Sequence, residues 1–101
     1  MMERYLFVKL VSEQSTEEGR RFCASEARAL AGAEGLQSLT VGLPADAAAL
    51  AAWDMSLVLR FASLEAADLF FEGPAYRAYT EGFLGACGRV IKAWTFDVAP
   101  D

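Results

Sequence analysis

The segment Trp53–Phe61, which reads WDMSLVLRF, limits the folds open to this chain more than any other stretch. Its odd-numbered residues are all apolar, whereas its even-numbered residues are mixed. An alternation with a period of two residues is typical of a strand that buries one face. No glycine or proline interrupts the segment, and aromatic or β-branched residues occur within it. We therefore predict that it is a central strand of an antiparallel sheet.

Three further segments have the apolar patterns of strands, and each is bounded by turn-forming or helix-forming residues. The predicted strands are Arg4–Val11, Leu36–Leu43 and Arg89–Val98, and residues 99–101 form a tail. A proline follows the second of these strands, which suits a strand end because proline has no amide to donate. The Ala-rich stretch before Trp53 is expected to be a loop or a short helical turn, capped by Asp46.

Helix-start signals separate the strands. Ser15-Thr16-Glu17-Glu18 fits a capping box, in which Ser or Thr caps the helix and Glu follows three residues later. Ser63 can cap a second helix, and Gly73-Pro74 breaks it so that a new helix begins at the proline. The predicted helices are Thr16–Ala33, Leu64–Glu72 and Pro74–Ala86.

The resulting order is strand, helix, strand, strand, helix, strand, which predicts an α+β, ferredoxin-like βαββαβ domain over residues 1–101. Helices should cover one face of the four-stranded antiparallel sheet, while the other face still carries large apolar residues. The hydrophobic fraction of 54% exceeds what one small core can hold. We therefore expect a homodimer whose two sheets pack face to face, a dimeric α+β barrel.

Charge and composition exclude several classes of function. A net charge of −5 and a pI of about 4.6 disfavour binding to nucleic acid or to anionic membranes. No apolar run reaches the length of a membrane span, so we expect a cytoplasmic protein. The chain has no histidine, and Cys23 and Cys87 are distant in sequence, so we predict buried free thiols and neither a metal nor a cofactor.

Several segments together resemble the stress-responsive A/B barrel (Dabb) family of small dimeric α+β barrel proteins. They are the opening strand YLFVKL with the helix start STEE, the strand WDMSLVLRFAS, the helix break FFEGPAYRAYTEGF, and the closing strand VIKAWTFDV. The match spans nearly the whole chain. The antibiotic-biosynthesis monooxygenase family shares the fold and a similar proline-containing helix break, and it is the alternative.

The chain departs from the family at the residues that carry its chemistry. Where the family usually has His-Pro-x-His, this chain has Gly73-Pro74-Ala75-Tyr76. In the plant polyketide cyclase of that family, a histidine at the position of Tyr76 is thought to act as general base, with a tyrosine at the position of Phe70. The histidine that often begins the first strand is replaced by Arg4 or Tyr5. The resemblance therefore does not transfer the cyclase chemistry to this chain.

Aromatic residues offer the best candidate for a binding site. An apolar cleft between sheet and helices would suit an aromatic or polyketide-like ligand, although aromatic residues at this spacing more often form plain core. The candidates are Tyr76, Phe70, Tyr79, Trp53, Met55 and Trp94. Asp54 and Arg60 lie six residues apart on one strand, hence on the same face about 20 Å apart, and we expect both at the dimer interface.

Two functional hypotheses follow. The first is a cofactor-free binding or stress-associated protein of unassigned activity. The second is an enzyme, similar to a polyketide cyclase or a cofactor-independent monooxygenase, that acts on a hydrophobic aromatic substrate. The missing histidines weigh against the second, although pocket shape and orientation alone can contribute to rate. Whether the space between sheet and helices is hollow or filled would separate them.

Overall fold

The computed structural model describes residues 1–98, and its elements follow the predicted order. The predicted tail 99–101 lies outside the described residues. The strands are β1 (Met2–Leu10), β2 (Ser38–Gly42), β3 (Met55–Phe61) and β4 (Gly88–Asp97). The helices are α1 (Glu17–Arg28), α2 (Ala47–Ala52), α3 (Leu64–Glu72), α4 (Pro74–Arg77) and α5 (Gly85–Cys87), with a π-helix at Ala78–Leu84 and a 3₁₀ turn at Ser12–Gln14.

The four strands form one antiparallel sheet in the order β2-β3-β1-β4. Strand β3 is therefore central, as its alternating sequence predicts. Leu57 faces Val41 on one neighbouring strand and Leu6 on the other, and Leu6 in turn faces Ala93 of β4. These cross-strand rows place apolar side chains of all four strands on the same face.

The core lies between this face and the helices. Strand β3 is buried at every second residue from Met55 to Phe61, which is the predicted alternation. Helix α1 contributes small side chains to the core, which lets it lie close to the sheet. The fully buried core residues include Leu6, Val8, Leu57, Leu59, Phe61, Phe70, Cys23, Ala24 and Ala27. Within residues 1–98, the three predicted helical segments all contribute to this core, so the predicted one-sided cover is confirmed. The opposite face is free of these three helices, and we call it the helix-free face; beside it, Lys9 donates to the carbonyl of Ala51 in the short α2.

The start of α1 differs from the predicted capping box. Thr16 is the cap, and its hydroxyl accepts a hydrogen bond from the amide of Gly19 at 3.0 Å. The residue three positions after Thr16 is Gly19 rather than a glutamate. No side chain at that position can therefore accept a hydrogen bond from the amide of Thr16, as a capping box requires. Ser15 instead donates its hydroxyl proton to Asp54 at 2.8 Å. The second predicted cap is confirmed, because the hydroxyl of Ser63 accepts from the amide of Ala66 at 3.1 Å.

Helix α1 ends earlier than predicted, at Arg28, and a series of turns leads to β2. Gly32 and Gly35 both have positive φ, +83° and +90°, in this connection. A Cβ at Gly35 would stand 2.3 Å from the carbonyl oxygen of Ala66 and 3.0 Å from the amide nitrogen of Phe70. The turn therefore lies directly on the backbone of α3, where only glycine fits.

The segment 74–87 is helical, as predicted, but its middle is a π-helix at Ala78–Leu84. In a π-helix each backbone hydrogen bond spans five residues, instead of the four that it spans in an α-helix. At its start, the hydroxyl of Thr80 donates to the carbonyl oxygen of Tyr76 at 2.9 Å. This bond satisfies a carbonyl at the junction between the two helix types.

Candidate functional site

The structure divides the six predicted ligand-binding residues between the two faces of the sheet. Met55 and Phe70 are fully buried in the core, and Tyr79 is nearly so. Tyr76 lies beside them at the helix break, partly exposed. Trp53 and Trp94 instead contact Phe7 on the helix-free face, at 5.6 and 6.1 Å between ring centroids. The structure therefore does not bring all six residues together in one cleft, since Met55 and Phe70 belong to the core and the two tryptophans lie on the opposite face.

The position of Trp53 follows from a break in the alternation. Asp54 and Met55 are consecutive and both are buried, so the two-residue period does not extend back past Met55. The amide of Asp54 pairs with the carbonyl of Val8, while its carboxylate turns inward. Trp53 consequently lies on the same side as Phe7, opposite to the predicted face.

The helix-free face of the sheet carries a continuous aromatic surface, which we call the aromatic face: Tyr5, Phe7, Trp53, Trp94 and Phe96. Trp94 is 50% exposed and Phe96 is 56% exposed. Tyr5 meets Phe96 edge to face at 5.8 Å. The register explains the grouping, since Tyr5 stands opposite Trp94 across β1 and β4. Aromatic pairs of this kind stabilise a strand pair, but they leave wide ring surfaces in water.

A charged group lies beside the aromatic face. Arg60 donates from Nε to Glu3 at 2.9 Å and from Nη1 to Thr40 at 3.0 Å, which joins three strands. The hydroxyl of Tyr5 also donates to Glu3. That hydrogen bond lowers the pKa of Glu3 and raises the pKa of Tyr5, because it favours the carboxylate and the protonated phenol. Arg60 thus has a partner within its own subunit.

The prediction that Asp54 lies at a dimer interface is wrong, because Asp54 is buried within one subunit. It is 2% exposed and accepts from the amide of Leu10 at 2.8 Å. Ser15 and the guanidinium of Arg20, at 3.3 Å, bind its other oxygen. Asp54 therefore joins β1, the loop before α1 and α1 itself inside one subunit. Its role is to hold these parts together.

The helix break forms a second aromatic cluster, on the side of the sheet that the helices cover. Phe70 and Phe71 end α3, Gly73 leaves the helix in an extended conformation, and Pro74 begins α4. Tyr76 then packs against both phenylalanines, at 5.1 and 5.2 Å between ring centroids. Because Tyr76 and Phe71 remain partly exposed, this cluster reaches the surface, whereas Phe70 does not.

Arg4 completes this cluster, a contact that the alternation of β1 alone does not predict. Its guanidinium carbon stands 4.8 Å from the centroid of the Phe71 ring, within the range of a cation–π contact. Its Nη1 donates to the hydroxyl of Thr95 at 2.9 Å. Arg4 occupies the even-numbered side of β1 with Leu6 and Val8. We call the group Arg4, Phe70, Phe71, Tyr76 and Thr95 the Tyr76 site.

The edge of the sheet beside the Tyr76 site is not covered by helices. Ile91, Ala93 and Thr95 of β4 share the face of Leu6 through their register with β1. Ile91 is nevertheless 42% exposed, and Thr95 is exposed as well. Arg4 joins Thr95 of β4 to Phe71 of the helix break, and we call the surface between β4 and the helix break the trough.

Tyr79 and the two cysteines form a third group in the core. The hydroxyl of Tyr79 is buried and has no hydrogen-bond partner in residues 1–98. Burial, together with the nearby Cys23, raises the pKa of Tyr79. Burial is the largest cause that raises the pKa of Cys23, and the neighbouring Cys87 is the next; the resulting pKa is about 12. Both cysteines are buried free thiols, as predicted, and are protonated at neutral pH.

The outer surface of the helices carries two shallow depressions near Ala75. One, of about 260 Å³, lies between α1 and the π-helix and is lined in part by Leu30, Tyr79 and Phe83. The other, of about 170 Å³, lies between the turn before β2 and the helix break. Both are smaller than a typical binding pocket for a drug-sized ligand, which holds about 300 Å³ or more.

These groups offer a hydroxyl, a positive charge and aromatic rings to a ligand. Tyr76 can offer a hydroxyl, and Arg4 offers a fixed positive charge. A phenol and a guanidinium both offer hydrogen-bond donors to a ligand. Within residues 1–98, no three cysteine, aspartate or glutamate side chains converge as a metal site would require.

No protein-family model matches the sequence, and no curated protein matches it. Solved structures do match. A Dabb family protein with a ferredoxin-like fold from Mesorhizobium loti has a TM-score of 0.78 at 11% identity, and the alignment covers 98% of this chain and 97% of that one. A dimeric ferredoxin-like protein of unknown function from Thermobifida fusca has a TM-score of 0.80 at 14% identity, covering 96% and 90%.

A third solved structure is an enzyme. The hydroxynitrile lyase from Passiflora edulis has a TM-score of 0.78 at 14% identity, and the alignment covers 99% of this chain and 94% of that one.

The fold is ferredoxin-like.

At these identities the likeness shows the fold alone, and it confirms the α+β, four-stranded antiparallel prediction for the subunit. Within the described part of the chain, no helix is long and apolar enough to cross a membrane.

Proposed function

We propose that this chain is a member of the stress-responsive A/B barrel family and acts as a homodimeric, cofactor-free binding protein for a small aromatic ligand. The observation that supports binding is the cluster of Phe70, Phe71 and Tyr76 at the helix break, which opens to the surface beside Arg4. An apolar wall with few polar groups is typical of small-molecule sites. The free thiols of Cys23 and Cys87 suit a cytoplasmic location.

The proposed dimer uses the aromatic face. A twofold axis would bring two copies of this surface together, so that Trp94 and Phe96 leave water in both subunits. Two sheets that pack in this way keep their strands within about 30° and interdigitate their side chains. Solved structures with this fold from Thermobifida fusca, Bacteroides fragilis and Jannaschia are described as dimeric.

Light scattering at micromolar concentration tests the dimer. Wild-type protein should have twice the subunit mass of 10.9 kDa. Trp94→Glu should have the mass of one subunit, because it buries an unpaired charge in the interface. Leu64→Glu is the control, since Leu64 is 57% exposed on α3, away from the aromatic face. A wild-type monomer, or equal masses for both variants, would contradict the dimer.

Binding of the neutral probe 2-naphthamide, followed by protein NMR, tests the ligand site. Resonances of Phe71 and Tyr76 should shift, and Tyr76→Ala should weaken binding. Leu50→Ala is the control because Leu50 is exposed on α2. Tyr76→Phe separates the ring from the hydroxyl: if the hydroxyl donates to the carbonyl of the probe, this variant also binds more weakly. Shifts confined to other parts of the molecule would remove the Tyr76 site from the proposal.

The second candidate is an enzyme that acts on a hydrophobic aromatic substrate, similar to a polyketide cyclase or a cofactor-independent monooxygenase. The hydroxynitrile lyase of similar structure favours it, since that protein is a catalyst with this fold. In this chain the chemistry would depend on Tyr76 and on orientation, because no histidine is present. Turnover of an aromatic polyketide substrate that Tyr76→Phe abolishes would favour the enzyme over the binding protein.

A further inference from the structure

Arg4 is placed by β1 in the middle of the sheet rather than at its edge. Its neighbours across the two adjacent strands are Leu59 and Thr95, which share its face. Leu59 is fully buried, whereas Thr95 is exposed. Arg4 itself is partly exposed, so its guanidinium lies where the core meets the trough beside β4.

The hydrogen bonding of this guanidinium is incomplete. Nη1 donates to Thr95, but the buried Nε finds no acceptor among residues 1–98. In the described residues Arg4 also makes no ion pair, in contrast to Arg20, Arg21 and Arg60. A buried donor of a charged group that lacks an acceptor destabilises the folded protein. The site therefore contains a donor that a bound acceptor could satisfy.

The nearest carboxylates are engaged elsewhere. Glu3 precedes Arg4 but points to the opposite face, where it binds Arg60 and Tyr5. Asp97 shares the face of Arg4 and lies two residues beyond Thr95, but its carboxylate is 75% exposed and stands 3.7 Å from the amino terminus. Among residues 1–98, Arg4 is thus a cation without a carboxylate partner, in a protein whose net charge is −5.

Aromatic rings flank the cation. The guanidinium lies over Phe71, and Phe71 contacts Tyr76 in turn. A flat ligand that entered the trough could pack on these rings while an acidic group on it reached Arg4. Arginine binds planar carboxylates through two parallel hydrogen bonds, and the edge formed by Nε and Nη2 is the one that Thr95 does not use.

From these contacts we infer that the ligand of the Tyr76 site is an aromatic carboxylate, and that Arg4 binds its carboxylate group. This inference rests on the proposed function, because it names the class of ligand for the same site. The aromatic ring of the ligand packs against Phe71 and Tyr76. Its carboxylate accepts from Arg4 and supplies the counter-ion that Arg4 does not find among residues 1–98. Since Nε is buried, the guanidinium must turn toward the trough as the ligand binds.

The test compares 2-naphthoate with 2-naphthamide, two probes of nearly the same shape that differ in charge. Titrations followed by NMR at pH 7 and low salt should show naphthoate binding at least about tenfold more tightly to the wild type. Arg4→Gln should abolish this preference, because it should lower the affinity for naphthoate about tenfold more than the affinity for naphthamide. Arg28→Gln is the control, since Arg28 is exposed at the end of α1. The preference should also weaken as salt is added, because it is electrostatic.

Each outcome separates the two proposals. Equal affinities of wild type for the two probes would overturn the inference about Arg4 and leave the binding function standing. The absence of binding for both probes would overturn both. If Arg4→Gln still binds naphthoate more tightly than naphthamide, the cation that binds the carboxylate is not Arg4, and the inference is overturned. If Arg4→Gln does not fold, Arg4→Lys decides: it keeps the charge but not the paired donors, so the preference should fall without vanishing.

Discussion

The carboxylate of Asp54 accepts a hydrogen bond at 2.8 Å from the backbone amide of Leu10, a residue 44 positions earlier in the chain. The pairing of β1 with β4 shifts register between Lys9 and Leu10, so the amide of Leu10 falls at an irregular point of the ladder. A buried amide without an acceptor would be costly there. Asp54 supplies the acceptor and so links the end of the sheet to α1.

Replacing Asp54 with alanine should destabilise the protein by about 3 kcal/mol, because the variant leaves the amide of Leu10 and the charge of Arg20 without a partner. Urea unfolding followed by circular dichroism measures the change. Asp68→Ala is the matched control, since Asp68 is an exposed aspartate on α3, and it should change the free energy of unfolding by less than about 0.5 kcal/mol. Similar losses for the two variants would show that Asp54 has no special structural role.

Gly32 and Gly35 allow backbone strain to be separated from steric contact. Both have positive φ, so alanine should cost about 1 kcal/mol at either position from strain alone. A Cβ at Gly32 meets nothing within 4 Å, whereas at Gly35 it meets the backbone of α3. Gly35→Ala should therefore lose clearly more stability than Gly32→Ala in thermal unfolding. It should also shift the NMR resonances of Phe70, and a Gly35→Ala variant as stable as Gly32→Ala would contradict this packing.

Leu59 should be among the most sensitive residues of the core. It is fully buried in β3, and Leu59→Ala should reduce the free energy of unfolding by about 2–5 kcal/mol through the cavity that it leaves. Leu69→Ala makes the same chemical change on α3, where Leu69 is 54% exposed, and should cost little. Denaturant midpoints of the two variants provide the comparison, and closely similar midpoints would mean that β3 is misplaced.

Stability should fall at alkaline pH. The thiol of Cys23 has a pKa of about 12 in the folded protein, above its ordinary value of 9.0. Between these values the unfolded chain loses the proton and the folded chain keeps it, so rising pH favours unfolding. The pKa values of Cys87 and Tyr79 are also raised and act in the same direction.

Urea unfolding at pH 8.0, 9.5 and 10.5 should show this decline. Cys23→Ala removes one titrating group, so its decline should be shallower by up to about 1.4 kcal/mol per pH unit. Parallel curves for wild type and variant would mean that the Cys23 thiol titrates normally in the folded state.

The sequence predicts most of the fold because its periodic segments are long. The alternation from Met55 to Phe61 identifies the buried face of β3, and Ser63 and Pro74 mark helix starts through local chemistry. The candidate site is harder to predict. Trp53 continues the apolar alternation in sequence, but the inward turn of Asp54 moves it to the other face. Only the strand register shows that Arg4 stands between Leu59 and Thr95.

The π-helix has a consequence for how this chain tolerates changes in length. One residue corresponds to a rotation of about 100° around a helix axis. Gly82 lies within Ala78–Leu84, and there is open space around it. Its deletion would let ordinary α-helical bonding run through the segment, but everything before it would then be turned relative to β4. The rings that now contact Phe70 would then point away from it. The one extra residue of the π-helix therefore orients the helix break toward the sheet.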